Sequence, residues 1–228
     1  FKLHSYPDEE IPRRESDATK VFDTVTRQNV RRLQDHWARM ACLNQDRAAS
    51  ALLLSGSVTD PWIAPRRADV LMTSPPYGDN KTTVPYGQHS YLPLQWIAVA
   101  DIPGAFDASL LESTHRIDSL SLGGSLKHAD EACDDLCALS PALGGFMVHI
   151  SDTPPLRKKV LSFVRDYREA LATLGPRLKN GAFCFLTLGE RRVGKHTFPL
   201  GEINKELLLE NGHEYVTTIA RVLPGSRK

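Results

Sequence analysis

The sequence has little of several features that would mark a special class of protein. Its 228 residues contain four cysteines, Cys42, Cys133, Cys137 and Cys184, which are too few and too scattered for a disulfide-stapled secreted fold. No apolar run approaches the roughly 18 residues that a membrane helix needs, and the opening FKLHSYPDEE lacks the apolar centre of a signal peptide. These absences predict a cytoplasmic protein with no membrane partner.

An excess of one charge is also missing. The 28 Lys plus Arg residues nearly balance the 27 Asp plus Glu residues, which leaves a formal net charge of +1. Overall charge therefore points to neither a nucleic acid nor a membrane surface, and a local patch must meet any such partner. With 41% hydrophobic residues and a mean hydropathy of -0.29, the composition is that of a globular protein long enough to bury a core.

The hydrophobic pattern alternates between strand and helix signals. Short apolar runs bounded by Gly, Pro or Asp, or alternating with polar residues, predict strands. These runs are residues 51–55, 68–73, 182–188 and 215–222. Apolar residues at three- and four-residue spacing predict helices. These are residues 21–47, 94–100, 154–174 and 200–211, with short helices joined by loops over 104–150. The alternation predicts an α/β fold with a mainly parallel sheet.

One segment combines a strand end with unusual chemistry. TSPPYGDN (73–80) follows the predicted strand ADVLMT, at the sheet edge where open α/β folds bind ligands. Pro75 and Pro76 fix φ and lack backbone N–H groups, so the turn offers acceptors, among them the Ser74 hydroxyl. Such acceptors could hold the two N–H bonds of a nucleobase amine, and the Tyr77 ring could stack on a base that has left the duplex. The tetrapeptide alone would indicate only a rigid turn, but its position and the long polar loop after it favour a site.

The segment resembles motif IV, (Ser/Asp/Asn)-Pro-Pro-(Tyr/Phe/Trp), of the DNA amino-methyltransferases that use S-adenosylmethionine, and its serine is most similar to the cytosine-N4 branch. The similarity extends beyond the tetrapeptide to other segments. These are TSPPYGDNKTTVPYGQHSYLPLQWI (73–97), SLGG (121–124), LTLGERRVG (186–194) and ARVLPGSRK (220–228). The resemblance implies a Rossmann-like fold and a prokaryotic restriction-modification enzyme that flips the target base of DNA.

The resemblance also implies a role for each residue of the turn. Ser74 and the Pro75 carbonyl would hydrogen-bond the target amine, Pro76 would keep the turn rigid, and Tyr77 would stack on the flipped base. No cysteine lies in a Pro-Cys pair, which disfavours methylation of a ring carbon through a thiolate. Adenine-N6 methylation remains an alternative, because the same turn can serve both amines.

The cofactor half of the family pattern is not found. The sequence has neither a Phe-x-Gly-x-Gly-like loop nor the acidic residue that would bind the ribose, and Ser57 stands where the family has an aspartate. Ser57 and Ser74 are the candidate cofactor residues. Since the sequence begins with Phe1 rather than Met, we expect the fold to be incomplete on its N-terminal side, with the glycine loop on a missing segment or another chain. The alternative is a DNA-binding subunit of a modification or defence complex that has lost the cofactor.

The expected organisation has two parts. Residues 1–48 form an arm and a helical segment, and residues 49–228 form the catalytic region. Within the second part, residues 104–150 are a candidate target-recognition insertion on fold-level analogy alone.

Several residues outside the turn are candidates for contact with DNA. Lys81 lies in the long loop, and Arg191, Arg192 and Lys195 follow the predicted strand 182–188, where they could meet phosphates. Tyr86 and His89 could line the DNA channel, although packing would explain them equally well.

A metal site is not expected. His128, Cys133 and Cys137 lack a second pair at ligand spacing, so the two cysteines are predicted to lie one turn apart on a helix.

Overall fold

The computed structural model describes residues 9, 18–43, 57–59, 66–77, 86–101, 107–189 and 191–220. The chain divides into two compact units, Lys2–Ser55 and Gly56–Lys228 with Phe1. None of the described helices combines the length and the apolar character that crossing a membrane requires.

The first unit is represented by one long helix, α1 (Ala18–Leu43). The prediction of helix from residue 21 onward is confirmed as far as residue 43, and residues 44–47 lie outside the described residues. On its charged face Arg27 pairs with Asp23 one turn earlier, at 2.8 Å between Nε and a carboxylate oxygen. Because both side chains are exposed, this pair stabilises the helix only slightly.

The second unit mixes helices with short strands. Its helices are α2 (Tyr86–Trp96), α3 (Thr114–Ser119), α4 (Cys133–Leu139), α5 (Pro141–His149), α6 (Pro154–Leu174) and α7 (Leu200–Glu210). Its strands are β1 (Ala68–Thr73), β2 (Leu178–Leu186), β3 (Arg191–Val193) and β4 (His196–Phe198). Among the described residues there are also four short 3-10 helices, at Val99–Asp101, Ala108–Leu111, Asp130–Ala132 and Gly175–Arg177.

The strands form two small sheets. β1 and β2 pair in parallel, and β3 and β4 form an antiparallel hairpin. The parallel pairing agrees with the prediction for residues 68–73 and 182–188, although β2 begins four residues earlier than expected. In the described part of the chain the parallel sheet has two strands, and the predicted strand 51–55 lies outside that part.

The core lies around α6, whose predicted apolar stripe is confirmed. Val160, Phe163, Tyr167 and Leu171 are buried along one face of this helix, and α4 and α7 pack against it. Ser140 caps α5 by accepting a hydrogen bond from the Leu143 N–H at 3.1 Å, and its hydroxyl also donates to Glu206 of α7. The core therefore fixes the helices that support the ends of the sheet.

The strand predicted for residues 215–222 is wrong for its described part. Residues 213–220 are irregular, and Val216 and Ile219 are exposed. The Tyr215 hydroxyl donates to Thr218 at 3.0 Å, and the Lys205 ammonium lies 4.7 Å above the Tyr215 ring. Nδ1 of His213 lies 3.9 Å from the Cys184 sulfur of β2. Alternating β-branched residues favour a strand only where a ladder with a neighbouring strand forms, and no described ladder includes these residues.

Helix α2 begins earlier than the sequence indicated. The prediction placed a helix at residues 94–100, whereas α2 runs from Tyr86 and contains Pro93. Its first turn is held from outside, because the buried Asp118 carboxylate of α3 accepts a hydrogen bond from the Gly87 N–H at 2.8 Å. Because the residue that accepts this hydrogen bond is 31 residues away in the sequence, the residues around Tyr86 give no local signal for the start of the helix.

Candidate functional site

The parallel pairing brings two chain segments to one edge of the sheet. Thr73, the last residue of β1, is paired with Leu186, the last residue of β2. One residue further on, the Thr187 N–H donates to the Thr73 carbonyl at 3.0 Å. Ser74–Tyr77 and Thr187–Gly189 therefore leave the sheet side by side, at the carboxyl edge where the sequence predicted a site.

The Ser74–Tyr77 turn presents acceptors at this edge. Pro75 is buried, Pro76 and Tyr77 are half-buried, and Ser74 is exposed. Within the described part of the chain, the Ser74 hydroxyl makes no hydrogen bond. Because neither proline carries an N–H, the turn has acceptor groups with few competing donors.

The Tyr77 ring is held in place by a glycine that sequence analysis did not single out. A Cβ atom added at Gly189 would lie 2.8 Å from Cε2 and 2.9 Å from Cδ2 of Tyr77, so the ring lies directly against the Gly189 backbone. The ring also packs against the hydrophobic core and remains partly exposed. Gly189 lies within LTLGERRVG, one of the segments that resemble the DNA methyltransferases. The resemblance therefore included this residue but gave no role for it.

We expect Gly189→Ala to destabilise the second unit by roughly 1–3 kcal/mol, because the new methyl group forces the Tyr77 ring to move. Gly201→Ala is the matched control, since nothing lies within 4 Å of a Cβ atom added there. Alanine in that first turn of α7 should be neutral or slightly stabilising. Urea unfolding of both variants checks the prediction, and equal stabilities would contradict it.

The basic residues after β2 lie on a hairpin rather than in the predicted loop. Arg191 and Arg192 belong to β3, and Lys195 follows Gly194 in the turn, where Gly194 has φ +62°. Arg191 is half-buried, whereas Arg192 and Lys195 are exposed. The Nε atom of Arg191 is buried and has no hydrogen-bond partner among the described residues. The three cationic side chains therefore differ in their exposure to solvent.

The other candidate DNA contacts lie on α2 or outside the described residues. Tyr86 is half-buried in the first turn of α2, and His89 is exposed. Helix α2 packs closely on α3, since a Cβ atom added at Gly87 would lie 2.0 Å from the Thr114 carbonyl oxygen. Lys81 lies outside the described residues. No described contact joins Tyr86 or His89 to the Ser74–Tyr77 turn.

The described residues do not build a pocket for S-adenosylmethionine. The Ser57 hydroxyl lies 2.8 Å from the Thr59 hydroxyl in a local turn, and no described contact joins it to Ser74. The described residues that follow the two parallel strands are Ser-Pro-Pro-Tyr and Thr-Leu-Gly, which include no carboxylate for a ribose.

The two helical cysteines are confirmed one turn apart on α4. Their sulfur atoms are 3.9 Å apart, and the described residues hold no cluster of three or more metal-ligating side chains. Burial, reinforced by the neighbouring Cys133, raises the pKa of Cys137 to about 11. Burial also raises the pKa of Cys184.

These shifts predict an order of thiol reactivity. Alkylation proceeds through the thiolate, so at about pH 8 Cys137 and Cys184 should react with iodoacetamide more slowly than the exposed Cys42. The rate at Cys137 should keep rising until the pH approaches 11, the pKa of its thiol. Peptide mass spectrometry after timed alkylation measures each site. Faster labelling of Cys137 than of Cys42 would be the opposite result.

Comparison with known proteins gives one informative similarity. The chain is 29% identical over 163 residues to the type II methyltransferase M.MvaI of Kocuria varians. The aligned region covers 70% of this chain and 34% of the relative, so the chain spans about a third of the relative's length. No protein-family model and no solved structure matches the chain.

Proposed function

We propose that this chain carries the target-amine site of a DNA methyltransferase that modifies the exocyclic N4 amine of cytosine. The observation that carries the proposal is the Ser74–Tyr77 turn, which leaves β1 beside the end of β2 with Tyr77 fixed over Gly189. The similarity to a type II methyltransferase supports methyl transfer in general, and the choice of the N4 amine rests on the serine of the turn. The structure describes all four residues of the turn, so the proposal rests on residues of this chain.

The turn acts on the amine by hydrogen bonding. The nitrogen of a nucleobase amine is a weak nucleophile, because its lone pair is delocalised into the ring. The exposed Ser74 hydroxyl and the Pro75 carbonyl accept hydrogen bonds from its two N–H groups, which favours a tetrahedral nitrogen with a localised lone pair. Since both prolines restrict the backbone, these acceptors need little reorganisation, and such fixed groups stabilise a transition state well.

Tyr77 holds the base while the amine is bound. The target base must leave the duplex to reach a site at the sheet edge, and stacking on an aromatic ring offsets part of that cost. The ring is already immobilised against Gly189 and the core, so binding the base orders few additional groups.

S-adenosylmethionine supplies the methyl group in this proposal, as an electrophile on its sulfonium. Ser57 and Ser74 remain the candidate residues of this chain for it. The partners proposed are DNA and a further polypeptide segment that carries the glycine-rich loop. Lys81, Tyr86, His89, Arg191, Arg192 and Lys195 are proposed to contact DNA, and residues 104–150 to take part in target recognition. Restriction-modification in a prokaryotic cytoplasm is the proposed setting.

Two alternatives lead to different experimental results. Adenine-N6 methylation uses the same acceptors on a different amine, so the methylated nucleoside distinguishes it from the first proposal. A DNA-binding subunit without a cofactor would need the basic hairpin but not the Ser74 hydroxyl.

Calorimetric titration separates an enzyme from a binding subunit. The whole chain is titrated with S-adenosylmethionine and, separately, with double-stranded DNA. Heat on addition of the methyl donor supports the enzyme. DNA binding without heat on addition of the methyl donor supports the binding subunit. The titration is repeated in the presence of the polypeptides encoded beside this chain, and the donor must again give no heat.

A further inference from the structure

We infer that an amphipathic helix from outside this chain packs across the exposed face of the parallel sheet formed by β1 and β2. The inference rests on the proposed function, because the helix is assigned to the further polypeptide segment that carries the glycine-rich loop. It begins from the exposed side, here called the outer sheet face, which consists of Val70, Met72, Phe183 and Phe185.

The outer sheet face is a continuous apolar surface. Successive residues of a strand point to opposite sides of the sheet. Val70 of β1 is paired with Phe183 of β2, and Met72 is paired with Phe185, so the four side chains share one side. Each of them is between 49% and 75% exposed, and the centroids of the two phenylalanine rings are 6.3 Å apart. The four residues therefore form a patch, whereas a single exposed apolar side chain would need no explanation.

The opposite face of the same sheet is already covered. Leu71, Cys184 and Leu186 alternate with the four exposed residues and are half-buried, and Leu186 packs against the core. The sheet is therefore apolar on both sides. Strands of this composition are typical of parallel sheets that are covered on both faces by helices. The outer sheet face thus has the character of an interior surface, and the described residues leave it exposed.

The size of the patch argues against a second copy of this chain as its cover. The four side chains together expose roughly 400 Å², since a large apolar side chain has about 150–250 Å² of surface. A stable dimer buries about 800 Å² on each partner, so two such patches face to face would provide only about half of an interface. A helix of the same fold has no such requirement, because its segment makes further contacts elsewhere.

The comparison with the type II methyltransferase indicates where this helix is encoded. The aligned region is 34% of the length of that relative, so most of the relative has no counterpart in the alignment. A polypeptide segment of that length can supply helices as well as a cofactor loop. Because the Ser74–Tyr77 turn leaves the end of β1, a segment packed across β1 and β2 lies beside the proposed target-amine site.

The methionines of the chain give a direct test. Met72 is 75% exposed, whereas Met147 is buried in the core and serves as an internal control. Hydrogen peroxide converts an accessible methionine to its sulfoxide. Peptide mass spectrometry compares the oxidation rates in the 228-residue chain alone and in the protein purified from cells that express the whole locus. Met72 should be oxidised at least tenfold more slowly in the second sample, and Met147 should be oxidised slowly in both.

A photoreactive phenylalanine analogue in place of Phe183 identifies the cover. In the protein from the whole locus, its cross-links should lie outside this chain on residues three or four positions apart, the spacing of one helix face. Cross-links on alternate residues would indicate a strand, and cross-links within this chain would indicate that its own residues cover the face. Either result would overturn the inference.

Val70→Lys tests whether the outer sheet face itself holds the helix. Burying an unpaired ammonium group is costly, so in the protein from the whole locus this variant should raise the oxidation rate of Met72 at least tenfold. Val148→Lys is the matched control, because Val148 is 71% exposed on α5, and it should leave Met72 protected. Circular dichroism checks that both variants are folded. Unchanged protection in folded Val70→Lys would contradict the inference.

Failure of the inference can be distinguished from failure of the proposed function. If Met72 is oxidised equally fast in both samples while the DNA of the cells contains N4-methylcytosine, the inference fails and the proposed function stands. If Met72 is protected and no methylated nucleoside forms, the proposed function fails and the covered face stands. Protection of Met72 in the chain alone that increases with protein concentration would identify a second copy as the cover and overturn the inference.

Discussion

Ser74→Ala should lower the rate of methyl transfer to DNA by roughly 10²–10³-fold, the loss typical of removing one fixed hydrogen-bonding group from a transition state. The hydroxyl is exposed and makes no hydrogen bond in the described part of the chain, so its removal should leave the folded state as stable as before. Affinity for DNA should also be nearly unchanged, because the hydroxyl acts on the amine and not on the phosphates.

Ser151→Ala provides the matched control for this variant. Ser151 is also exposed and lies between α5 and α6, where its hydroxyl donates to Asp152 at 3.4 Å, and no described contact joins it to the Ser74–Tyr77 turn. Single-turnover transfer of a labelled methyl group to DNA is measured for both variants, with thermal unfolding as the check on folding. Normal transfer by Ser74→Ala would remove the turn from the proposed mechanism.

The second large effect concerns stability. Phe163→Ala should destabilise the second unit by roughly 3–5 kcal/mol, as expected for a large aromatic side chain removed from a packed core. Phe163 is fully buried, its ring centroid lies 5.6 Å from that of Tyr167 and 6.4 Å from that of Phe198, and Gly123 packs on its backbone. The loss corresponds to a fall in melting temperature of roughly 6–20 °C for a unit of this size.

Phe185→Ala is the control for the same change of side chain. Phe185 is 52% exposed on β2, beside the exposed Phe183, Met72 and Val70. Truncating it should cost little in comparison with Phe163. Denaturant unfolding of both variants provides the measurement, and similar losses would contradict the core described for α6.

Tyr77 should contribute to binding of the target base through its aromatic ring and not through its hydroxyl. Tyr77→Ala is expected to weaken binding of the target base by about fivefold to a hundredfold, since stacking contributes roughly 1–3 kcal/mol per base. Tyr77→Phe should keep most of that affinity. Binding of a short oligodeoxycytidine to each variant separates the two, and a comparable loss in both would indicate a hydrogen bond instead of stacking.

The sequence predicted those parts of the molecule whose signals are local. The stripe of α6 repeats with helical spacing and ends before Gly175, so both its extent and its buried face follow from the sequence. The turn after β1 was likewise placed correctly at the carboxyl edge of a parallel pair, because Pro75 and Pro76 end the apolar run of the strand. In both cases the residues that decide the structure lie next to each other in sequence.

Features that depend on distant residues were missed. Helix α2 starts at Tyr86 because Asp118 accepts a hydrogen bond from its second residue, and Gly189 is needed because Tyr77, more than a hundred residues earlier, occupies the space of a side chain. The strand expected at 215–222 had the right alternation, but its described part pairs with no described strand. Pattern alone cannot report which element lies beside a given residue.

The measurement that tests the central claim most directly is the identity of the methylated nucleoside. The gene, with the flanking sequence of its locus, is expressed in a host without DNA methyltransferases, and its genomic DNA is hydrolysed and analysed by mass spectrometry. The proposal predicts N4-methylcytosine with the unmodified chain and none with Ser74→Ala. N6-methyladenine or 5-methylcytosine in place of N4-methylcytosine, no methylated nucleoside, or the same amount of N4-methylcytosine with Ser74→Ala would contradict it.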